Sequence, residues 1–470
     1  MNPILKIYLP VLALILLASC KVSKDITQPP APLPFSYRNA VNTDTAGIAA
    51  IEWKTFFTDA ALLQLLDSAV SNNYDMQVAL KNIEAATLIV RQKKLGYLPE
   101  ANLQIGANIS RPSDNSLNGL SLSQFLGRSY LEDYSAAVAV SWEADIWGKI
   151  KNQKAKALAE FLQTTEAKKA IQTNLVAAVA KGYYNLLMLD AQLKIANKNL
   201  LLNDSTLRII KLQFDAGQVT ALGVQQATAQ RLVAAQLIPY LQQNISIQEN
   251  AISILTGVLP AAINRTNAIG NISLPDNLSA GIPALLVSNR PDVRSYELEL
   301  NIANANTGIA KANMYPSLRI TATGGINSFK ASNWFNIPAS LFGAAAGGLT
   351  QPLFQRKTLK TQYELAKIER MQTVIQFRQS VLTAVGEVSD ALVKNEKIKE
   401  QKEIAVIRVN TLQQAISNAD LLFRNGMATY LEVITAQSNT LQGELELAAL
   451  KKEELNAVVE LYRALGGGWK

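Results

Sequence analysis

The sequence is written twice. Phe214-x-x-Gly217-x-x-Thr220-x-Leu222-x-Val224-x-x-Ala227 returns as Phe423-x-x-Gly426-x-x-Thr429-x-Leu431-x-Val433-x-x-Ala436: six residue types at one spacing, each displaced by 209 positions. Looser echoes come earlier in each half. Asn72 and Asp75 match Asn289 and Asp292, and Pro99 matches Pro316, all displaced by 217. The fall from 217 to 209 places an eight-residue deletion between the two sets of markers, where a surface loop absorbs it. Such self-similarity fixes the architecture before any motif is weighed.

Each half reads as helix, strand pair, long helix, turn, helix. From about Ala60 to Leu95, apolar residues such as Leu62, Leu65, Leu66, Ala69 and Val70 recur at helical spacing, and Gly96 and Pro99 close the pattern. The period then becomes two, at Leu103, Ile105, Ala107 and Ile109. A Ser-, Asn- and Gly-rich stretch from Ser110 to Arg128 reads as a loop, and alternation resumes at Tyr134, Ala136, Val138, Val140 and Trp142. The second half repeats this with Leu318, Ile320 and Ala322, a loop holding Trp334 and Phe335, and then Leu341 to Leu349. The expected strands lie near 101–110, 131–142, 317–326 and 340–351. Their length suits a tilted crossing of a bilayer, with one apolar face and one small or polar face. Tyr130, Tyr134, Trp142, Trp334 and Phe335 fall near strand ends, where aromatic girdles form. On strand pattern alone, a half-buried sheet of a soluble protein stays open.

From about Lys149 to Phe214, and again from about Arg356 to Phe423, there is no proline. A helix of about 65 residues would run roughly 100 Å, far beyond the usual dozen residues. Apolar residues are mixed with Gln, Asn, Thr and Ala around most of the circumference, which suits a rod with neighbours on two sides. Gly217 and Gly426 fit left-handed C-caps, and Thr220 and Thr429 fit the N-caps of returning helices. The repeated motif is therefore expected to form two tight helix-turn-helix tips, near 214–224 and 423–433. Pro239, inside the first returning helix, is expected to kink it.

Four strands cannot close a wall, and open edges in lipid leave backbone groups unpaired at high cost. The chain is expected to oligomerise, and three copies would supply twelve strands.

Composition weighs against catalysis. The chain has no histidine and one cysteine, which removes the commonest general base, most zinc chemistry and any intrachain disulfide. Carboxylates alone can hydrolyse glycosides, yet no paired acids stand out from the polar helices. No catalytic, cofactor-binding or metal-binding residue is expected. Net charge is +8, but the Lys and Arg residues are interleaved with Glu and Asp. That is a solvated mixed surface and not a nucleic-acid footprint.

The start of the chain sets the compartment. Lys6 and the apolar run Leu9 to Leu17 read as a signal peptide, residues 1–19, too short to span a bilayer. Leu17-Ala18-Ser19-Cys20 resembles the lipobox of bacterial lipoproteins, which implies cleavage before Cys20 and its lipidation. Lys21 lacks the Asp that often retains lipoproteins in the inner membrane, so outer-membrane sorting is expected. Pro29, Pro30, Pro32 and Pro34 make a semi-rigid tether within residues 20–50, followed by repeat 1 over 51–270 and repeat 2 over 271–470.

Several segments are more specific. They are Val140-Ser141-Trp142-Glu143-Ala144-Asp145-Ile146-Trp147-Gly148-Lys149, Gly281-Ile282-Pro283-Ala284-Leu285-Leu286, Arg290-Pro291-Asp292-Val293 and Ala464-Leu465-Gly466-Gly467-Gly468-Trp469. With the twin tips, they resemble the outer membrane factor family, the TolC-type export channels, in the lipoprotein (OprM- and NodT-like) branch. The resemblance runs from Trp53 to Trp469. It implies a homotrimer: a twelve-stranded outer-membrane β-barrel, four strands per chain, continued by an α-helical tunnel across the periplasm. It also implies outer-membrane lipids as surroundings, a periplasmic adaptor (membrane fusion protein) and an inner-membrane pump of the resistance-nodulation-division type. The channel would be a passive conduit and not an enzyme.

Relatives carry acidic rings at the periplasmic mouth. By position these fall on Glu432, still acidic, and on Thr435, which is not; the place of Glu432 in the first repeat is Gly223. The resemblance thus implies one acidic ring at a gate built from Glu432, Thr435 and Gly223. It also implies adaptor docking at Gly217, Thr220, Leu222, Gly426, Thr429 and Leu431. Two other readings stay in view. A periplasmic adaptor would carry one hairpin without the duplication, and a carboxylate hydrolase would need a compact acidic pair.

Overall fold

The computed structural model describes residues 37–38, 47–273, 279–281 and 283–470. The expected signal peptide, Cys20 and the prolines of the tether lie outside the described residues. Eight longer helices and four strands follow in the order α1 (Ala60–Asn72), α2 (Tyr74–Lys94), β1 (Glu100–Ser110), α3 (Leu117–Leu126), β2 (Leu131–Ala144), α4 (Lys149–Asp215), α5 (Ala221–Leu255), α6 (Pro291–Ala312), β3 (Ser317–Ser328), β4 (Leu341–Thr350), α7 (Thr358–Arg424) and α8 (Tyr430–Ala464). Four strand positions and both long rods agree with the sequence reading to within a few residues.

Two expectations change. The helix expected from Ala60 to Leu95 is broken at Asn73, which is extended at ψ 132°. Its side-chain oxygen accepts from the N–H groups of Asp75 (2.9 Å) and Met76 (3.2 Å), and its amide donates to the Leu255 carbonyl at 3.0 Å. A short polar side chain here offers the backbone a better partner than the helix does. The stretch from Ser110 to Arg128 is not all loop. Ser116 caps α3 by accepting from Gly119 N–H at 3.1 Å, and Gly127 ends it at φ +61°. Both cap residues are of the types expected at helix ends.

The chain divides into two compact units. One holds residues 84–162 and 298–375, with the four strands in the order β1-β2-β3-β4, all antiparallel. Two indole donors near its strand ends are taken up by carbonyls at or beside the repeated prolines Pro99 and Pro316. Trp142 donates to the Tyr97 carbonyl at 2.8 Å, and Trp147 donates to the Pro316 carbonyl at 2.7 Å while stacking on Tyr315. Asp145 then opens α4 by accepting from the N–H groups of Ile150 (2.9 Å) and Lys151 (2.8 Å).

The other unit holds residues 163–297 and 376–470 with the segments before residue 84, and is helical. Its core packs Phe56, Tyr183, Tyr184, Leu186, Leu187, Val388 and Tyr462, with Phe56 stacked on Tyr462 at 4.0 Å between ring centres. Each such large apolar side chain contributes about 1.5–3 kcal/mol on burial. Two polar devices lie in or beside this core. Buried Asp59 caps α1 through Leu62 N–H and accepts from Tyr183 Oη (3.1 Å) and Asn267 (2.8 Å). Arg290, only 6% exposed, binds Asp292 at 2.6 Å, Glu387 at 2.8 Å and the Ala464 carbonyl at 3.1 Å. Burial pushes the Asp292 carboxyl up, but the Arg290 guanidinium outweighs it and holds that group below the usual range. The glycines after Ala464 let the chain end pass close to these groups. Gly466 sits at φ +89°, where a Cβ would lie 2.6 Å from the Asn289 carbonyl oxygen, and Trp469 donates to that carbonyl at 3.2 Å.

Candidate functional site

The sheet carries the first functional surface. Opposed residues of an antiparallel pair share a face, so register sorts the side chains. Leu103 faces Val138, which faces Gly324, which faces Gly343; Ile105, Ala136, Ile326 and Leu341 make the next row. Trp142, Ile320 and Gly347 continue the same face. The opposite face holds Asn102, Gln104, Asn108, Ser135, Ser141, Thr321, Thr323 and Asn327. Every residue of β1 and β4 is exposed, and Leu103, Ile105 and Ile109 are each about two-thirds exposed. β1 and β4 are also the unpaired edges of the sheet. An apolar face with no core behind it needs lipid, and two bare edges need strands. Among the described residues no helix is long and apolar enough to cross a membrane.

The hairpin tips form the second surface, within the helical unit. Both use one backbone device. Gly217 at φ +73° donates to the Phe214 carbonyl while Gln218 N–H reaches back to Gln213, and Gly426 at φ +71° donates to Phe423 while Met427 N–H reaches Leu422. These are paired helix-end hydrogen bonds that an L side chain at the glycine would strain. Gly217, Thr220, Leu222, Gly426, Thr429 and Leu431 are all exposed. Behind them, Ile210, Ala227, Phe423 and Val433 form a small apolar core that joins the two tips.

The tips differ where the gate was expected. Glu432 is exposed, and its carboxylate accepts from Thr429 N–H at 2.9 Å and from the Thr429 hydroxyl; Thr429 Oγ1 accepts in turn from Leu431 N–H. Thr429 and Glu432 thus make a capping box. The Thr429 hydrogen bond holds the Glu432 carboxyl below the usual range, so it is ionised at neutral pH. The first tip has no counterpart: Thr220 makes no side-chain cap bond. Thr435 is exposed, whereas Gly223 is buried, where a Cβ would stand 3.0 Å from the Tyr430 ring. Glu432 and Thr435 thus reach the surface, whereas Gly223 is packed beneath Tyr430 of the other tip. Sequence reading missed both roles. The Thr-x-x-Glu spacing of the capping box stood in plain view at Thr429 and Glu432, but the Gly223–Tyr430 contact left no local signal.

Comparison with known proteins decides the family. A family model described as outer membrane efflux protein matches residues 65–258 and 282–467. The chain belongs to this outer membrane efflux protein family. It is similar to the solvent efflux pump outer membrane protein SrpC of Pseudomonas putida, 30% identical over 470 residues and 98% of each chain. It is also similar to the probable outer membrane lipoprotein SilC of Salmonella typhimurium, 24% identical over 98% of each chain. A crystal structure of a membrane protein from Pseudomonas aeruginosa superposes with a TM-score of 0.86 at 26% identity, covering 95% of this chain and 100% of that one. As an outer membrane efflux protein, the chain is an outer-membrane channel component of a tripartite efflux system. The family's members are transport channels and not enzymes.

Proposed function

We propose that three copies of this chain close a twelve-stranded barrel and act as a passive conduit for small molecules. An inner-membrane pump of the resistance-nodulation-division type would deliver them through a periplasmic adaptor. The observation that carries this reading is the four-stranded sheet with a lipid-type face, a polar face and two bare edges. Two copies would make eight strands, whose interior is filled by side chains, whereas twelve leave a lumen. Beyond edge strand β4, Leu353 and Phe354 are 80% and 98% exposed, which suits cover by a neighbouring copy. Cys20 would carry the lipid anchor, in keeping with the name of the lipoprotein relative.

At the periplasmic mouth, three Glu432 carboxylates would form one acidic ring that favours cations, bordered by Thr435, with Gly223 packed behind it. The adaptor's helical hairpin would dock at Gly217, Thr220, Leu222, Gly426, Thr429 and Leu431. Exposed glycines in left-handed backbone support that use, since they leave the tips free of side-chain bulk. Gly426→Trp is expected to abolish export while oligomers still form, and intact export would remove the tips from the docking account.

The deciding experiment is native mass spectrometry of the protein extracted gently in detergent. A trimer is expected. A stable folded monomer would mean that the strands never close a wall, and the conduit reading would fall.

A further inference from the structure

The polar face of the sheet carries one residue that the conduit reading does not use. Arg319 is the only Lys or Arg in the four strands. It lies directly opposite Glu143 in the β2–β3 register, with Nη2 at 3.4 Å from the carboxylate, and its side chain remains 61% exposed. Register puts it on the face of Thr321, Thr323 and Ser141. Glu143 is already matched, since Lys149 Nζ holds its other oxygen at 2.8 Å. One carboxylate therefore serves two cations.

A recess of about 550 Å³ opens beside this group, lined by Lys93, Glu100, Ser141, Glu143, Lys149 and Arg319. Glu143, Lys149 and Arg319 also line an adjoining recess with Asp145, so Lys93, Lys149 and Arg319 stand among three carboxylates, Glu100, Glu143 and Asp145. At the other end of β2, Asp133 accepts from Asn327 at 2.6 Å and has no cation opposite it. Arg319 is the exposed cation of this balanced group and the one borne on the strands themselves. A structural tie between β2 and β3 would use a short, well-covered pair; this one is long and open.

We propose that Arg319 is a charge-selecting residue of the lumen, drawing anionic and zwitterionic solutes through the end of the barrel where β2 ends and β3 begins. The inference rests on the reading above that the polar face lines a duct. Its field acts in water and falls off over about 10 Å at 0.1 M salt, so it biases passage without binding solutes tightly. Within a lumen of low-dielectric walls, three copies would act on each passing ion.

The test is the reversal potential of the purified channel in planar bilayers under a KCl gradient. Arg319→Gln is expected to raise the potassium-to-chloride permeability ratio about threefold at 0.1 M salt. Arg319→Lys should keep the wild-type ratio, and Glu143→Gln should move it toward chloride, because Lys149 and Arg319 then go unmatched. A conducting Arg319→Gln channel with an unchanged ratio would overturn the proposal, even if its thermal stability fell, because a purely structural pair predicts that pattern. Should Arg319→Gln fail to insert, an unmoved ratio in Glu143→Gln would overturn it equally. A wild-type protein that never conducts would instead sink the conduit reading itself.

Discussion

Gly223→Ala offers the sharpest test of how the two tips are joined. A Cβ at Gly223 would meet Tyr430 Cε1 at 3.0 Å, Cζ at 3.1 Å and Val219 Cγ1 at 2.6 Å. Overpacking of this kind costs about 1–3 kcal/mol. Against it stands the gain of replacing glycine inside a helix, about 0.5–1 kcal/mol. The net expectation is local destabilisation of about 1 kcal/mol, felt in the first turns of α5 and α8. Amide hydrogen exchange reads this directly, because local opening is measured on the same free-energy scale. Exchange in those turns should quicken roughly fivefold, at 1.4 kcal/mol per factor of ten. The strain must then be assigned to the ring. In a double-mutant cycle with Tyr430→Ala, the Val219 contact is common to both backgrounds and cancels. Gly223→Ala should therefore cost about 1 kcal/mol less, and leave exchange nearly unchanged, once Tyr430 is gone. An equal effect in both backgrounds would refute the claim that Tyr430 seats on Gly223.

Two further outcomes are expected. Arg290→Met leaves Asp292, Glu387 and the Ala464 carbonyl without their shared donor. It should cost about 2–3 kcal/mol in urea unfolding, the low side for a broken buried pair because the carboxylates keep some water. Glu432 gives a pH signature. Its folded value lies below the usual range, so any contribution it makes to tip stability is present above the unfolded glutamate value and is lost as pH falls through the lower folded one. Any cation preference it confers should accordingly persist through the ordinary glutamate range and fade only below it, read from reversal potentials across that window.

Much of this chain was legible because its signals are local and periodic. The change from a period of 3.6 to one of two marks the strands, and the absence of proline marks α4 and α7. Gly217 and Gly426 announce their own turns, since few other residues accept a positive φ. What was not legible depends on partners distant in sequence. Asn73 breaks a helix that its neighbours would continue, because it caps α2 and also reaches Leu255. Trp142 and Trp147 read as girdle and motif residues, yet each ties a strand end to a distant carbonyl, of Tyr97 or of Pro316. The burial of Gly223 follows from Tyr430, one repeat away. Helix α3 is a different case. Its caps were visible, but the polar composition around them outweighed the signal.

Duplication made two tips, and divergence gave them different work. The first keeps glycine at the third helical position and receives a ring; the second supplies that ring and keeps a carboxylate at the equivalent place. Glu432 therefore carries two roles that a single substitution confounds, one as cap and one as charge. They separate chemically. Glutamine retains an acceptor for Thr429 N–H but loses the charge, whereas alanine loses both. If the charge shapes ion passage, Glu432→Gln and Glu432→Ala should reduce potassium preference alike. If the cap holds the tip, only Glu432→Ala should quicken exchange in the first turn of α8, because it alone removes the acceptor that closes the capping box. Unchanged ion preference in both variants would remove Glu432 from the gate and leave it a helix cap, and the second tip would then differ from the first only in how it is built.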